Sequence, residues 1–234
     1  AANAIDDVMP KAYEEPWDGT NHARATDSFG SSTQSGSLDY RTSAFSIGAG
    51  LTMSGSVTYD PGAGAGPASA GGVDGGAGSG TAYTVKIASD SGVTIGGGNE
   101  VATDQGTANG VERSTAYALY AAGPISVGYQ QTYVDSAHNR GLATLAAAGA
   151  DIEAEMYAVA YTSGNYSVSY AVQKEKTQAH SDTAALEEVD MSAIQASYTM
   201  GAMTLGASLY ETDNVGGVTT GKYEETELSV SFAF

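Results

Sequence analysis

The residues of this sequence with the clearest chemical potential are carboxylates crowded into its first part: Asp6, Asp7, Glu14, Glu15 and Asp18. The acidic segment continues to Asp27, and Lys11 and Arg24 are the only Lys or Arg residues that interrupt it. Carboxylates placed across a narrow aqueous passage attract cations and raise their local concentration, which makes an electrostatic filter without a chemical step. An acidic loop in contact with solvent is the alternative interpretation, because runs of charge are usually solvated.

Residues that could perform catalysis or hold a metal ion do not form a recognisable pattern. His22, His138 and His180 are far apart in sequence, and no HExxH spacing surrounds them. The chain has no cysteine, so thiolate zinc sites and cysteine nucleophiles are excluded. We therefore expect no enzymatic activity, no cofactor and no metal site.

The charge balance limits the possible partners. Nine Lys and Arg residues stand against 27 Asp and Glu residues, which gives a formal net charge of −18. Such a chain repels phosphates, so we expect no nucleic-acid partner. No apolar stretch approaches the ~18 residues that a transmembrane helix needs.

The dominant pattern in the sequence is the alternation of apolar with small or polar residues at period two. The strands that this pattern indicates must position the side chains named above. In the final ELSVSFAF, Leu228, Val230, Phe232 and Phe234 alternate with small or polar residues, which indicates a strand with two unlike faces. The same alternation recurs through the chain and predicts about eleven strands, many near the ~9–11 residues that cross a bilayer. The predicted strands are 36–43, 50–59, 81–89, 92–98, 112–122, 125–134, 152–162, 166–176, 189–200, 203–212 and 224–234.

The connections between these strands are alternately short and long. The short ones fall at 44–49, 89–92, 123–124, 163–165 and 201–202, and the long ones at 60–80, 99–111, 135–151, 177–188 and 213–223. Short turns on one side and long loops on the other are typical of an outer-membrane barrel, whereas a soluble sandwich does not require them. The alanine-rich stretch Leu142–Met156 could instead form a short helix, and one extending past Glu155 would remove a strand.

The two faces of the strands differ in chemistry. One face is rich in Tyr, Val, Leu and Phe, and the other reads Thr52, Ser54, Ser56, Thr58 in one strand and Ser126, Gly128, Gln130, Thr132 in another. A pore places hydroxyls and amides inside, so we predict an all-β, transmembrane antiparallel β-barrel. A soluble antiparallel sheet with one wet face is the alternative.

Strand parity also predicts the direction of single side chains. Arg41 and Lys86 fall on the polar face and are predicted to line the pore wall. Arg113, Lys174 and Lys176 lie near strand ends and are expected to meet lipid head groups or sugars. Tyrosines at the ends of apolar runs predict an aromatic belt at the membrane boundary: Tyr117, Tyr133, Tyr157 and Tyr166.

The strand and loop rhythm, the terminal LSVSFAF and the opening AIDDVMPKAYEEPWD together resemble the general porins of Gram-negative outer membranes, most closely the alphaproteobacterial type. The resemblance implies a 16-stranded barrel whose inward-folded external loop narrows the pore. It assigns residues 1–35 to this acidic constriction loop and residues 36–234 to the barrel strands. It also implies that about five N-terminal strands of the family pattern are absent from this sequence.

The resemblance further implies a homotrimer in the bacterial outer membrane, surrounded by membrane lipids and lipopolysaccharide. Phe232 and Phe234 then belong to a C-terminal signal that the barrel-assembly machinery recognises. The expected function is a passive general-diffusion channel for small hydrophilic solutes and ions. The sparse basic wall residues predict a preference for cations. A surface adhesin or structural β-domain without channel activity is the main alternative, and a barrel hydrolase is a minor one.

Overall fold

The computed structural model describes residues 38–60, 79–102, 111–136, 150–179 and 187–233. These residues form twelve strands and one 3-10 turn at Val215–Gly217. The strands, in chain order, are β1 Leu38–Arg41, β2 Phe45–Gly48, β3 Leu51–Asp60, β4 Gly80–Ser89, β5 Val93–Ala102, β6 Val111–Ala122, β7 Ile125–Ser136, β8 Ala150–Ser163, β9 Tyr166–Ala179, β10 Val189–Met200, β11 Met203–Asp213 and β12 Lys222–Phe232. No helix within these ranges is long and apolar enough to span a membrane.

All twelve strands belong to one antiparallel sheet, and from β3 onward each strand pairs with the next one in the chain. The order is β1-β3-β4-β5-β6-β7-β8-β9-β10-β11-β12, and β2 pairs with β3 beside β1. The predicted all-β antiparallel architecture is therefore confirmed. Residues Ala150 to Ser163 form one continuous strand. A helix within Leu142–Met156 that extends past Glu155 is therefore excluded.

The start of the sheet differs from the sequence-based prediction. The predicted connection at 44–49 is mostly strand, because Phe45–Gly48 pairs with β3 near Leu51 and Met53. Strands β1 and β2 thus act as one edge strand interrupted at residues 42–44. The turn itself is only Ala49 and Gly50, both with positive φ, a conformation that the glycine adopts without strain.

Tight turns and long connections alternate as predicted. The tight turns include Gly164 and Gly201, whose φ values of 58° and 59° are left-handed and suit glycine in a two-residue hairpin turn. The connections at the other end of the strands span 61–79, 103–110, 137–149, 180–188 and 214–221. Consecutive hairpins of this kind place all tight turns at one end of the sheet and all long connections at the other.

The two faces of the sheet have opposite character. The face that carries Tyr83 and Val230, called the outer face, exposes large apolar side chains. Tyr83 is 55% exposed and Val230 is 58% exposed. The inner face carries mainly polar and small residues, and many of them are buried, including Gln130 and Thr132 at 0%. A sheet folded in water buries its apolar face. This sheet does the reverse.

Two expectations about β6 are wrong. Tyr117 was expected on the apolar face, but it pairs with Gly96 and Gln130 and is buried on the inner face. Arg113 was expected to meet lipid head groups, yet it shares the inner face with Tyr117. The reason is that β6 carries tyrosines at both parities, and Tyr120 with Ala116 and Ala118 forms its outer face.

Candidate functional site

The inner face of the sheet is the candidate functional site because it gathers the polar side chains of strands that are far apart in sequence. Its hydroxyl and amide groups bond across neighbouring strands. Ser56 and Thr84 share a hydrogen bond of 2.6 Å between β3 and β4. Gln130 Nε2 donates to Thr115 Oγ1 at 2.9 Å, and Thr115 also bonds to Thr132 at 3.1 Å. These bonds hold polar side chains in place along the wall.

A buried ion pair lies on the inner face at the long-connection end. Arg113 Nη1 is 3.2 Å from Glu100 Oε1, and the two side chains are only 8% and 10% exposed. The two residues are directly opposite each other in the register of β5 and β6. The alternation in β6 shows that Arg113 and Tyr117 share a face of the strand. It does not show that this face is the inner one, so the sequence alone could not place Arg113 there.

The two predicted wall cations lie on the inner face. Arg41 is opposite Ser56 and forms an ion pair of 2.6 Å with Asp39 on its own strand. Lys86 is opposite Ser54 on one side and Gly96 on the other. Its side chain is exposed, and no ion pair joins it to another described residue.

Gly96 and Tyr117 form a close contact that shapes the wall beside Lys86. A Cβ atom at Gly96 would lie 2.5 Å from both Cζ and Oη of Tyr117. The tyrosine ring therefore lies across the backbone of the neighbouring strand, where any other residue would carry a side chain. This fit explains how a bulky ring is accommodated on a wall that is otherwise lined with small polar groups.

A row of alternating amide and thioether side chains crosses the inner face from β7 to β10 and ends in a threonine hydroxyl on β11. Register places its members directly opposite one another, in the order Gln130, Met156, Gln173, Met191 and Thr212. All five are almost fully buried. Within the part of the chain that the structure describes, both amide atoms of Gln173, Oε1 of Gln130 and Oγ1 of Thr212 have no hydrogen-bond partner. The sequence does not reveal this row as a unit, because the row is aligned by register between strands and not by a local pattern.

The inner face carries more carboxylates than basic groups. Among the side chains that the structure describes, the acidic residues of this face are Asp39, Glu100, Glu175, Glu225 and Glu227, and the basic residues are Arg41, Lys86 and Arg113. Five carboxylates and three cations give a formal balance of −2 on this face. Two of the cations, Arg41 and Arg113, are each paired with a carboxylate of the same face.

The outer face is apolar toward the tight turns and ionic toward the long connections. Tyr166 and Tyr198 stack there with ring centroids 4.5 Å apart. At the other end, Lys176 Nζ is 3.0 Å from Glu188 Oε2, and Lys174 lies 3.3 Å from Glu188 Oε1. Hydrogen bonds from Lys176, then Lys174, hold the pKa of Glu188 below its ordinary value although burial opposes this. Lys174 and Lys176 thus lie on the outer face, as their parity predicts.

Six of the remaining predicted site residues lie outside the described ranges. These are the five acidic residues of the constriction segment, Asp6, Asp7, Glu14, Glu15 and Asp18, together with Phe234. Phe232 is described and lies on the outer face of β12 with 58% exposure. Within the described ranges, no three His, Cys, Asp or Glu side chains form a group that could hold a metal ion.

Comparison with known proteins supports the fold class. No protein-family model matches the chain, and no curated protein sequence matches it. The structure is similar to the crystal structure of the outer membrane channel DcaP of Acinetobacter baumannii, with a TM-score of 0.56 and 14% sequence identity. The match covers 85% of this chain and 62% of the DcaP chain, so this chain spans less than two thirds of that protein. At this identity the likeness shows a shared fold, an antiparallel sheet of the outer-membrane β-barrel type.

Proposed function

We propose that this chain acts as an outer-membrane porin, a passive channel for small hydrophilic solutes and ions. The observation that carries the proposal is the reversed sidedness of the sheet. Its outer face is apolar and its inner face is polar, which suits hydrocarbon on one side of the sheet and water on the other. The likeness to an outer membrane channel supports the same function.

A channel requires a closed wall, and the sheet has two free edges among the described residues. One edge consists of β1 and β2, and the other edge is β12. The two edges do not pair with each other. Unpaired backbone groups cost several kcal/mol each in hydrocarbon. Because β1 and β12 are ten antiparallel steps apart in the sheet order, they run in the same direction. Antiparallel closure therefore needs an odd number of additional strands between them.

We further propose that the channel prefers cations. The surplus of carboxylates on the inner face supports this preference because it lowers the electrostatic potential along the wall. In this proposal residues 1–35 fold inward as a constriction loop, and Asp6, Asp7, Glu14, Glu15 and Asp18 add negative charge at the narrowest point. Lys86 and Arg41 are too few to offset them.

The setting proposed for this channel is the bacterial outer membrane. The apolar outer face contacts membrane lipids, and its ionic end contacts lipopolysaccharide. A homotrimer buries part of the apolar face, and the strand ending in Phe232 and Phe234 is recognised by the barrel-assembly machinery. The function requires no chemical step and no cofactor.

Conductance in planar bilayers tests this proposal. The full chain should give steady ohmic steps, and its reversal potential in a salt gradient should indicate cation preference. Silence from correctly inserted protein would contradict the channel and favour a surface adhesin or structural β-domain.

Two neutralised variants locate the selectivity. Glu225→Gln with Glu227→Gln tests the wall, and Glu14→Gln, Glu15→Gln and Asp18→Asn together test the constriction loop. Each should move the reversal potential toward zero. Glu153→Gln is the matched control, because Glu153 lies on the outer face and accepts a hydrogen bond from Gln131 at 2.8 Å. An unchanged reversal potential in both inner variants would remove the acidic filter.

A further inference from the structure

The outer face of the sheet changes character between its two halves. The outward residues of each strand are numbered from the one beside the tight turn, such as Met203 on β11, and on β12 from Phe232, which lies opposite Met203. On β3 to β7 the fifth outward residues are all uncharged: Tyr59, Thr81, Val101, Ser114 and Tyr133. On β8 to β12 four of the five are charged: Glu155, Lys174, Ser192, Glu211 and Glu224. Charge therefore begins closer to the tight turns on β8 to β12.

Strand register and ion pairs hold these charged side chains at their level. Glu155 lies directly opposite Lys174, and Glu211 lies directly opposite Glu224. Lys222 Nζ is 2.7 Å from Glu211 Oε1 and 2.9 Å from Glu224 Oε1. A long lysine side chain can carry its charge toward the head groups, but a glutamate side chain is too short to do so. Because charges are costly in hydrocarbon, the hydrocarbon must end below the fifth outward residue on these strands.

Strand geometry converts these positions into heights across a membrane. From Tyr166 to Lys174 the strand rises about 27 Å, and a strand tilt of about 35–45° reduces this to about 19–22 Å of height. The apolar band of outer-membrane barrels is about 25 Å tall. On β3 to β7 the uncharged surface includes at least one more outward residue, which adds about 5 Å of height. The apolar band is therefore shorter on β8 to β12 than on the other half of the sheet.

We propose that the outer face of β8 to β12 fits a locally thinned bilayer, whereas β3 to β7 fit a bilayer of ordinary thickness. The partner of β8 to β12 is then a layer of lipids whose acyl chains are short or disordered. A bilayer thins beside a short apolar band at modest cost, and this keeps the charged side chains out of the hydrocarbon. Both halves belong to one sheet, so the thinning is confined to one side of the protein.

Nitroxide labels on single cysteines test this inference, because the chain has no cysteine of its own. Ser114→Cys on β6 and Ser192→Cys on β10 form a matched pair, since both serines are half-buried fifth outward residues. In vesicles of dioleoyl phosphatidylcholine, collision of the label with oxygen reports hydrocarbon, and collision with a water-soluble nickel chelate reports water. We expect the label at position 114 to collide mainly with oxygen. The label at position 192 should collide severalfold more often with the nickel chelate.

Labels beside the tight turns distinguish thinning from tilt of the whole sheet. Ala122→Cys and Met200→Cys replace the first outward residues of the same two strands, and their labels should report equal depth. A depth difference there as large as that between positions 114 and 192 would indicate tilt and overturn the inference. Equal depth at positions 114 and 192 would also overturn it. So would protection of position 192 from both reagents, which would indicate that a second copy of the chain covers this half.

A second experiment moves the edge of the apolar band. Glu211→Leu with Glu224→Leu extends the band by one outward residue on β11 and β12. Glu112→Leu with Asp135→Leu is the matched control, because it also removes two directly opposed carboxylates, but at the sixth outward position. After refolding from urea, heat-dependent mobility measures the ratio of folded to unfolded protein in dioleoyl and in dilauroyl phosphatidylcholine vesicles.

The first variant should raise this ratio in the thicker dioleoyl bilayer, relative to the dilauroyl bilayer, about threefold to tenfold over the wild type, because the mismatch shrinks by about 5 Å. The control variant should change it much less. Equal gains in the two variants would contradict the short apolar band on β8 to β12.

The inference rests on the proposed function only in treating the outer face as the face that contacts lipid. The two can therefore fail separately. Unequal depth at positions 114 and 192 in a protein without conductance would refute the channel and keep the thinned side. Conductance with equal depth at these positions would refute the thinned side and keep the channel.

Discussion

Replacing Gly96 by alanine tests the packing of the inner wall most directly. The added Cβ would lie 2.5 Å from Cζ and Oη and 2.7 Å from Cε1 of Tyr117. Ordinary carbon contacts begin near 3.5 Å, so the ring must move by about 1 Å. Tyr117 is only 4% exposed, and its neighbours must give way as well. Overpacking of this kind costs about 1–3 kcal/mol.

The net change in the free energy of unfolding also includes a favourable backbone contribution, because glycine loses more conformational freedom on folding than alanine does. Alanine in a strand interior is favoured over glycine by roughly 0.5–1 kcal/mol. Gly96→Ala should therefore destabilise the protein by about 1–2 kcal/mol when Tyr117 is present. In a Tyr117→Ala background the collision disappears, and the same substitution should stabilise the protein by about 0.5–1 kcal/mol. The sign of the effect is expected to reverse.

Denaturant unfolding of the full chain in detergent micelles, followed by circular dichroism, measures these free energies by linear extrapolation. Gly206→Ala is the matched control on the same face. There the added Cβ meets only the hydroxyl oxygen of Ser229 within close range, and that group can rotate away. It should stabilise the protein by about 0.5–1 kcal/mol, because the backbone gain remains and the hydroxyl gives way at little cost. Destabilisation by Gly96→Ala of equal size in both backgrounds would refute the contact with Tyr117.

Three further predictions concern charge and backbone conformation. Arg113→Met should destabilise the fold by about 3–5 kcal/mol because it leaves the Glu100 carboxylate buried without its guanidinium, and adding Glu100→Met should recover most of that loss in the same unfolding assay. The ion pair with Lys176 holds the pKa of Glu188 below its ordinary value. The stabilisation of the fold by this ion pair is therefore complete at pH values above the ordinary pKa of a glutamate, and it is lost as the pH falls through the lowered pKa of Glu188. Glu188→Gln should remove this part of the acid sensitivity, which unfolding midpoints at about pH 7 and pH 3 will check, and an unchanged difference between them would contradict the ion pair. Ala49→Gly should stabilise the protein by about 0.5–1 kcal/mol because Ala49 has a φ of 53°, and a lower unfolding midpoint would contradict this.

Local sequence pattern was sufficient to predict the strands and their alternating connections. Alternation with period two identifies a strand and its two faces without knowledge of any neighbour. For this reason the polar face of β3, the inward directions of Arg41 and Lys86, and the outward direction of Lys174 agree with the structure. Glycine in the tight turns marks the hairpins because few other residues adopt a positive φ without strain.

The same pattern could not assign faces where both parities are alike. In β6, Tyr117 and Tyr120 point to opposite faces, and only pairing with Gly96 shows which ring turns inward. The sequence likewise predicts a connection at Phe45–Gly48, because this strand is too short to show its alternation. In both cases the partner strand supplies the missing information.

The alternation of residue types is enough to predict a sheet with one apolar and one polar face. Pairing between strands sets which side chains meet: Glu100 lies opposite Arg113, and Gln173 lies between two methionines. Alternation is a property of one strand, whereas the residue opposite each position depends on register between strands. Backbone hydrogen bonds along the whole sheet set that register together, so no single segment encodes it.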